Sequence, residues 1–132
     1  APTSYVGGFG DAGSPPSDVS CTFDPPGLVI RPDGDPGLDG EADVLGVGLS
    51  TVQAPAWWVV EVRDATDAIV SQDWFVPNGA TDTVTWDARD LRGLVVENGA
   101  WQVEVWPDDG VGNRGVGCSL TVTVENWLGG TP

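Results

Sequence analysis

The sequence predicts an all-β chain folded as a Greek-key β-sandwich, and three observations carry that prediction. Apolar residues recur at every second position in several short runs, the period of a half-buried strand. About seven such runs are separated by clusters of Gly, Pro, Asn and Asp, the residues that turns favour. No amphipathic helical pattern interrupts them. At 132 residues the chain suits one domain with a two-sheet core, and its seven Trp supply apolar bulk that its 19 Gly and 11 Pro cannot.

The elements follow in order. Residues 1–19 form a Gly/Pro-rich N-terminal arm whose large apolar groups are Tyr5, Val6 and Phe9. Two readings of it stand: a flexible linker, and an assembly element that adds a strand to the edge of a neighbouring subunit. The β-sandwich domain spans 20–126. Its first strand, Cys21 to Arg31, is broken by Asp24-Pro25-Pro26-Gly27, and proline there restricts the segment to a sheet edge or a sheet-switching kink. An acidic loop, Pro32 to Asp43, leads to a second strand over Val44–Val52, where Gly46 and Gly48 leave room for another backbone or a ring. Trp57–Arg63 is the third strand, with Trp57, Val59 and Glu61 on one face and Trp58, Val60 and Val62 on the other. Asp64-Ala65-Thr66-Asp67 turns the chain into a fourth strand, Ala68–Val76. The fifth strand places Val84 and Trp86 together, and the sixth aligns Trp101, Val103 and Val105. Between them lies a polar crossing whose turns are Asp90-Leu91-Arg92-Gly93 and Glu97-Asn98-Gly99. After the loop Asp108–Gly115, the last strand, Gly117–Glu125, aligns Leu120, Val122 and Val124, and residues 127–132 form a C-terminal tail.

The run Thr85-Trp86-Asp87-Ala88-Arg89-Asp90-Leu91-Arg92-Gly93, followed by Val96-Glu97-Asn98-Gly99-Ala100-Trp101, resembles the Ig-like domain of the bacterial flagellar hook-capping family. That family's pattern is Trp-Asp-Gly-x-Asp-x-x-Gly, a short apolar turn, then Asp-Gly-x-Tyr and a strand. Here Ala88 replaces the Gly, Asn98 the Asp and Trp101 the Tyr. The acidic loop from Arg31 through Asp43 is similar to the loop before the second strand of such modules. Asp109 to Val124, with a Cys opening the last strand, is similar to the final hairpin of bacterial Ig-like and hyalin-repeat domains. The resemblance covers residues 20–126. It implies an Ig-like sandwich and a structural, adhesive or assembly role without catalytic residues.

Charge narrows the function classes. Twenty acidic residues against five Arg, with no Lys or His, give a net charge of −15. Nucleic acid is excluded as a partner, because its affinity depends on cations displacing condensed counterions. Anionic membrane surfaces are disfavoured for the same reason, and no run reaches the roughly 18 apolar residues of a membrane-spanning helix, so direct insertion is not expected. Cys21 and Cys118, near the two ends of an acidic β-rich domain, most simply form one disulfide; two buried free thiols are the other reading. A disulfide implies an oxidising compartment, and Ala1-Pro2-Thr3-Ser4 suits residues that follow a signal-peptidase cut, so a secreted or cell-surface protein is expected.

Two kinds of site remain. Asp33, Asp35, Asp39 and Asp43, with Glu41, offer hard oxygens at alternate positions of a Gly-bearing loop, which suits calcium; the other reading is a solvated turn whose carboxylates cap backbone donors. Asp108, Asp109 and Asn113 are a second, sparser set. Adjacent Trp57 and Trp58 point to opposite faces of one strand, so the Trp residues cannot all be core. Tyr5, Phe9, Trp57, Trp58 and Trp127 are the candidate contacts to other subunits, and stacking of exposed Trp on polysaccharide is the alternative. Catalysis is not expected. There is no His or Lys for proton transfer, and the carboxylate pair Asp87 and Asp90 sits in a turn that the resemblance explains structurally.

Overall fold

Strict alternation sets the first sheet. In the computed structural model, which describes residues 18–32 and 43–125, β3 (Leu45–Ser50) buries Leu45, Val47 and Leu49 and turns Gly46, Gly48 and Ser50 outward. It pairs antiparallel with β1 (Ser20–Asp24) on one side and β6 (Thr81–Trp86) on the other, giving the order β1-β3-β6. The outer face of this sheet carries only small side chains, with Thr22 opposite Gly48 and Gly48 opposite Thr83.

The second sheet has the order β2-β8-β7-β4-β5, formed by β2 (Val29–Ile30), β4 (Trp57–Arg63), β5 (Ile69–Phe75), β7 (Gly99–Asp108) and β8 (Cys118–Val124). All its pairs are antiparallel except β2 with β8. Consecutive strands cross between sheets at β1–β2, β2–β3, β3–β4, β5–β6 and β6–β7, while β4–β5 and β7–β8 are hairpins. This is the expected Ig-like Greek-key sandwich. Eight strands appear among the described residues rather than about seven, because Pro25-Pro26-Gly27 splits the expected first strand. The Asp24–Pro25 peptide is cis, and the chain leaves one sheet there and joins the other at Val29. That is the sheet-switching alternative of the sequence reading.

The core lies between the sheets. Val84 and Trp86 of β6 and Val103 and Val105 of β7 line it from different sheets, so these two strands lie in separate layers rather than pair. Leu120, Val122 and Val124 complete the layer from β8. Trp58, Val60 and Val62 are the core-facing residues of β4. Trp58 is therefore corrected as a contact residue: it is 1% exposed and unavailable to a partner. Trp57 and Trp58 would gain equally from burial, so the rest of each face decides: Val60 and Val62 go inward with Trp58, whereas the opposite orientation would turn Glu61 into the core. Cys21 of β1 and Cys118 of β8 form the disulfide, with Cα atoms 6.6 Å apart, and so tie an edge of one sheet to the other sheet.

Candidate interaction surface

Three of the loops around the sandwich are built by the same device, an aspartate that organises five residues. Asp90 Oδ1 accepts hydrogen bonds from the backbone N–H of Arg92 (2.9 Å) and Leu94 (3.0 Å), and the Asp90 N–H donates to the Leu94 carbonyl at 2.9 Å. Asp64 does the same with Thr66 and Ala68, and Asp109 with Val111 and Asn113. The fourth residue of each loop has positive φ: Asp67 at 71°, Gly93 at 83° and Gly112 at 95°. A tight turn followed by one left-handed residue matches the twist of the strands it joins.

These bonds favour the ionised carboxylate. Asp90 is held below its ordinary pKa chiefly by the Leu94 N–H, and Asp64 chiefly by the Thr66 hydroxyl. Asp109 is also lowered: desolvation pushes it up, and the N–H groups of Val111 and Asn113 with the Asn113 amide outweigh that. Asp18, bonded to the Thr51 hydroxyl (2.7 Å) and the Val52 N–H (2.6 Å), is lowered as well, the hydroxyl being the larger cause. The sign follows from linkage. A carboxylate with a depressed folded-state pKa contributes stability above its unfolded value, about 3.9, and loses it as pH falls through the folded value. Asp90→Ala is expected to melt below wild type at pH 7, with the gap narrowing below about pH 4. A gap that stays constant down to pH 2 in thermal melts would contradict this origin.

The sequence-derived calcium residues fall in two places. Asp33, Asp35, Asp39 and Glu41 lie outside the described residues. Asp43 lies within them, and its Oδ1 is buried without a hydrogen-bond partner. In the second set, Asp109 bonds Val111 and Asn113 as above, and Asp108 Oδ1 accepts the Gly110 N–H at 2.8 Å. Those carboxylates act as turn caps. Among the described residues no group of three or more His, Cys, Asp or Glu side chains is arranged to hold a metal ion.

Aromatic side chains concentrate instead on the outer face of the five-stranded sheet. Trp57 of β4 and Trp74 of β5 meet edge to face, with centroids 6.0 Å apart and planes at 81°. Trp74 is 48% exposed. Val59 lies directly between its cross-strand partners Trp74 and Trp106 and is fully buried although it faces away from the core. The Arg114 guanidinium covers Trp106 at 3.8 Å from the ring centroid and binds Glu104 at 2.7 Å. One residue pair further along, Glu61 accepts from Arg63 Nε and from Gln72 Nε2, each at 2.8 Å. Gln102 donates to the Thr121 hydroxyl at 2.9 Å. Every Arg in the chain has a carboxylate within 4 Å: Arg31 with Glu125, Arg63 with Glu61, Arg89 with Asp87, Arg92 with Asp90 and Arg114 with Glu104. The polar half of this face is thus internally matched, and the Trp57–Trp74 pair is its exposed apolar part.

Sequence reasoning found Trp57 through strand alternation. It missed Trp74 as that residue's partner, because the contact depends on the register of β4 against β5. Tyr5, Phe9 and Trp127 lie outside the described residues.

No protein-family model matches the chain, and no curated protein matches it. The hook-capping resemblance of Trp86–Gly93 therefore gains no support from a family match. Among solved structures, the chain is similar to PorZ of Porphyromonas gingivalis, described as an essential bacterial surface component of the type-IX secretion system. The TM-score is 0.45 and the identity 22%, over 80% of this chain and 11% of PorZ. The chain thus spans about a tenth of that protein's length.

Proposed function

We propose that the chain is a non-catalytic, extracellular structural module that joins other protein subunits in a surface assembly. The observation that carries this reading is Trp74, a large apolar side chain propped outward by Trp57 on the flank of the sheet. Exposed rigid aromatics are what protein interfaces use as anchors. The disulfide supports an oxidising compartment. Asp64, Asp90 and Asp109 are committed to turn hydrogen bonds that lower their pKa, whereas a general acid needs a raised one.

Protein is favoured over polysaccharide on two grounds. The perpendicular Trp pair offers no coplanar platform for successive sugar rings, and Glu61, Gln72, Gln102 and Glu104 already bond one another or their neighbours. A photoreactive phenylalanine at position 74 is expected to cross-link to protein in the native setting, while the same probe at Thr83, on the other sheet, gives none. Equal adducts from both positions, or none from 74, would overturn the proposal. So would a Trp fluorescence shift that saturates with a polysaccharide.

A further inference from the structure

The edge of β5 has a defined hydrogen-bonding pattern. Gly115 donates to the Pro107 carbonyl at 2.8 Å, so Pro107, and by alternation Val105, direct their backbone toward β8. Glu104 and Trp106 then direct theirs toward β4, where they oppose Glu61 and Val59. Trp58, Val60 and Val62 consequently face β5, meeting Phe75, Asp73 and Ser71. The backbone groups of Gln72 and Trp74 are left pointing outward. The Val70 carbonyl points the same way and accepts the Leu91 N–H at 2.9 Å, which closes that end of the edge. Beyond it no strand pairs with this side of β5 among the described residues.

Asp73 sits between the two open residues. It is opposite Val60, a core residue, so it shares the core-side face of β5, yet it is exposed at the margin of the sandwich. A charge pointing inward on an edge strand is a device against edge-to-edge pairing. Its effect on a second copy can be worked out. Two β5 strands related by a two-fold axis make the most bonds when Gln72 of each opposes Trp74 of the other. That register sets Asp73 directly against Asp73, and like charges opposite one another destabilise a strand pair. Beside Asp73 lies a cavity of about 270 Å³ whose lining includes Asp87, Asp90 and Arg89; Asp87 pairs with Arg89 and Asp90 with Arg92, which leaves Asp73 as the lining carboxylate without an arginine.

We infer that the open edge of β5 docks an extended segment of a partner protein that carries a cationic side chain opposite Asp73, and that Asp73 excludes a second copy of this chain. The inference rests on the interaction role proposed above and specifies the partner's chemistry. Gln72 and Trp74 supply the backbone bonds of an added strand. Trp74 lies on the outer face beside it, and the acidic notch on the inner face receives the cation.

Two measurements test this on the full chain. In amide NMR spectra, the peptide Thr-Val-Thr-Arg-Thr-Val-Thr is expected to shift Gln72 and Trp74, with affinity about fivefold above that of the same peptide with a central Glu. Asp73→Arg should reverse the preference. No shift at these amides, or equal affinities, would overturn the inference. In sedimentation, wild type should show no β5-mediated dimer, while Asp73→Val and Asp73→Thr should dimerise; folded variants that stay monomeric would remove the exclusion role. A residue-74 cross-link to protein without any charge preference among the peptides would leave the proposed function standing and discard this inference alone.

Discussion

Gly117→Ala is expected to destabilise the domain by about 3 kcal/mol, the upper end for overpacking a close contact. A methyl group at Gly117 would run into the Val105 carbonyl and lie 2.7 Å from Trp106 Cα. Both obstacles are backbone of β7, so no side chain can rotate away. Either the start of β8 lifts from β7 or the central strand bends. Lifting β8 also moves Cys118, the next residue, away from Cys21. For a domain of this size the change corresponds to a fall of roughly 12–24 °C in melting temperature. Gly27→Ala is the control, because nothing lies within 4 Å of a methyl group there. Equal melting temperatures for the two variants would show that the approach of Gly117 to β7 is not required.

How legible was this fold? Alternation alone located β4, and it placed Trp58, Val60 and Val62 on one face, because a strand in an antiparallel sheet repeats every two residues. Proline chemistry anticipated the sheet switch after Asp24. What alternation cannot give is which strands are neighbours. Val84–Trp86 and Trp101–Val105 read as consecutive strands, and only the closed topology shows that they belong to different sheets, with Trp86 and Trp101 meeting at 6.4 Å. The surface was less legible for the same reason. Trp74 and Asp73 acquire their roles from the register of β5 on β4, and that register shifts by a bulge at Val62/Arg63 which no periodicity reveals.

The motif around Trp86 was legible in another way. Where the hook-capping pattern has glycine, Ala88 takes φ of 63° and is fully buried. The left-handed conformation costs about 1–2 kcal/mol for a residue with a Cβ, so this loop tolerates strain that its resembling pattern avoids. The Ala88 carbonyl accepts the Val96 N–H at 2.8 Å, and the Trp86 indole N–H donates to the Arg89 carbonyl at 3.0 Å. These bonds hold the residue where its methyl group joins the core. The motif therefore reports fold, and its carboxylates serve the turn.

Removing the disulfide as the double variant Cys21→Ser/Cys118→Ser is expected to have the largest single effect. The bond closes a loop with a sequence separation of 97 residues. In the chain-entropy account such a loop contributes roughly 4–5 kcal/mol by restricting the unfolded chain. The loss should not be uniform across the native state. β1 is an edge strand that pairs with β3 alone and exposes Ser20, Thr22 and Asp24; apart from the disulfide, its anchors are Val19 and Phe23 against the core and Asp18 on Thr51 and Val52, fewer than those of the central strands. β2, past the Pro25-Pro26 kink, pairs separately with β8 and buries Ile30. Hydrogen exchange in the variant should therefore accelerate first at the β1 amides that bond β3, with β4 and β7 retaining protection longest. Chemical denaturation should show the full loss in free energy. A loss below about 1 kcal/mol, or exchange that accelerates equally in β1 and β7, would mean that β1 is secured by packing and not by the cross-sheet bond. The bond joins the two sheets of the sandwich. It fastens the first strand of one sheet to the last strand of the other, at the seam where the sandwich would otherwise open.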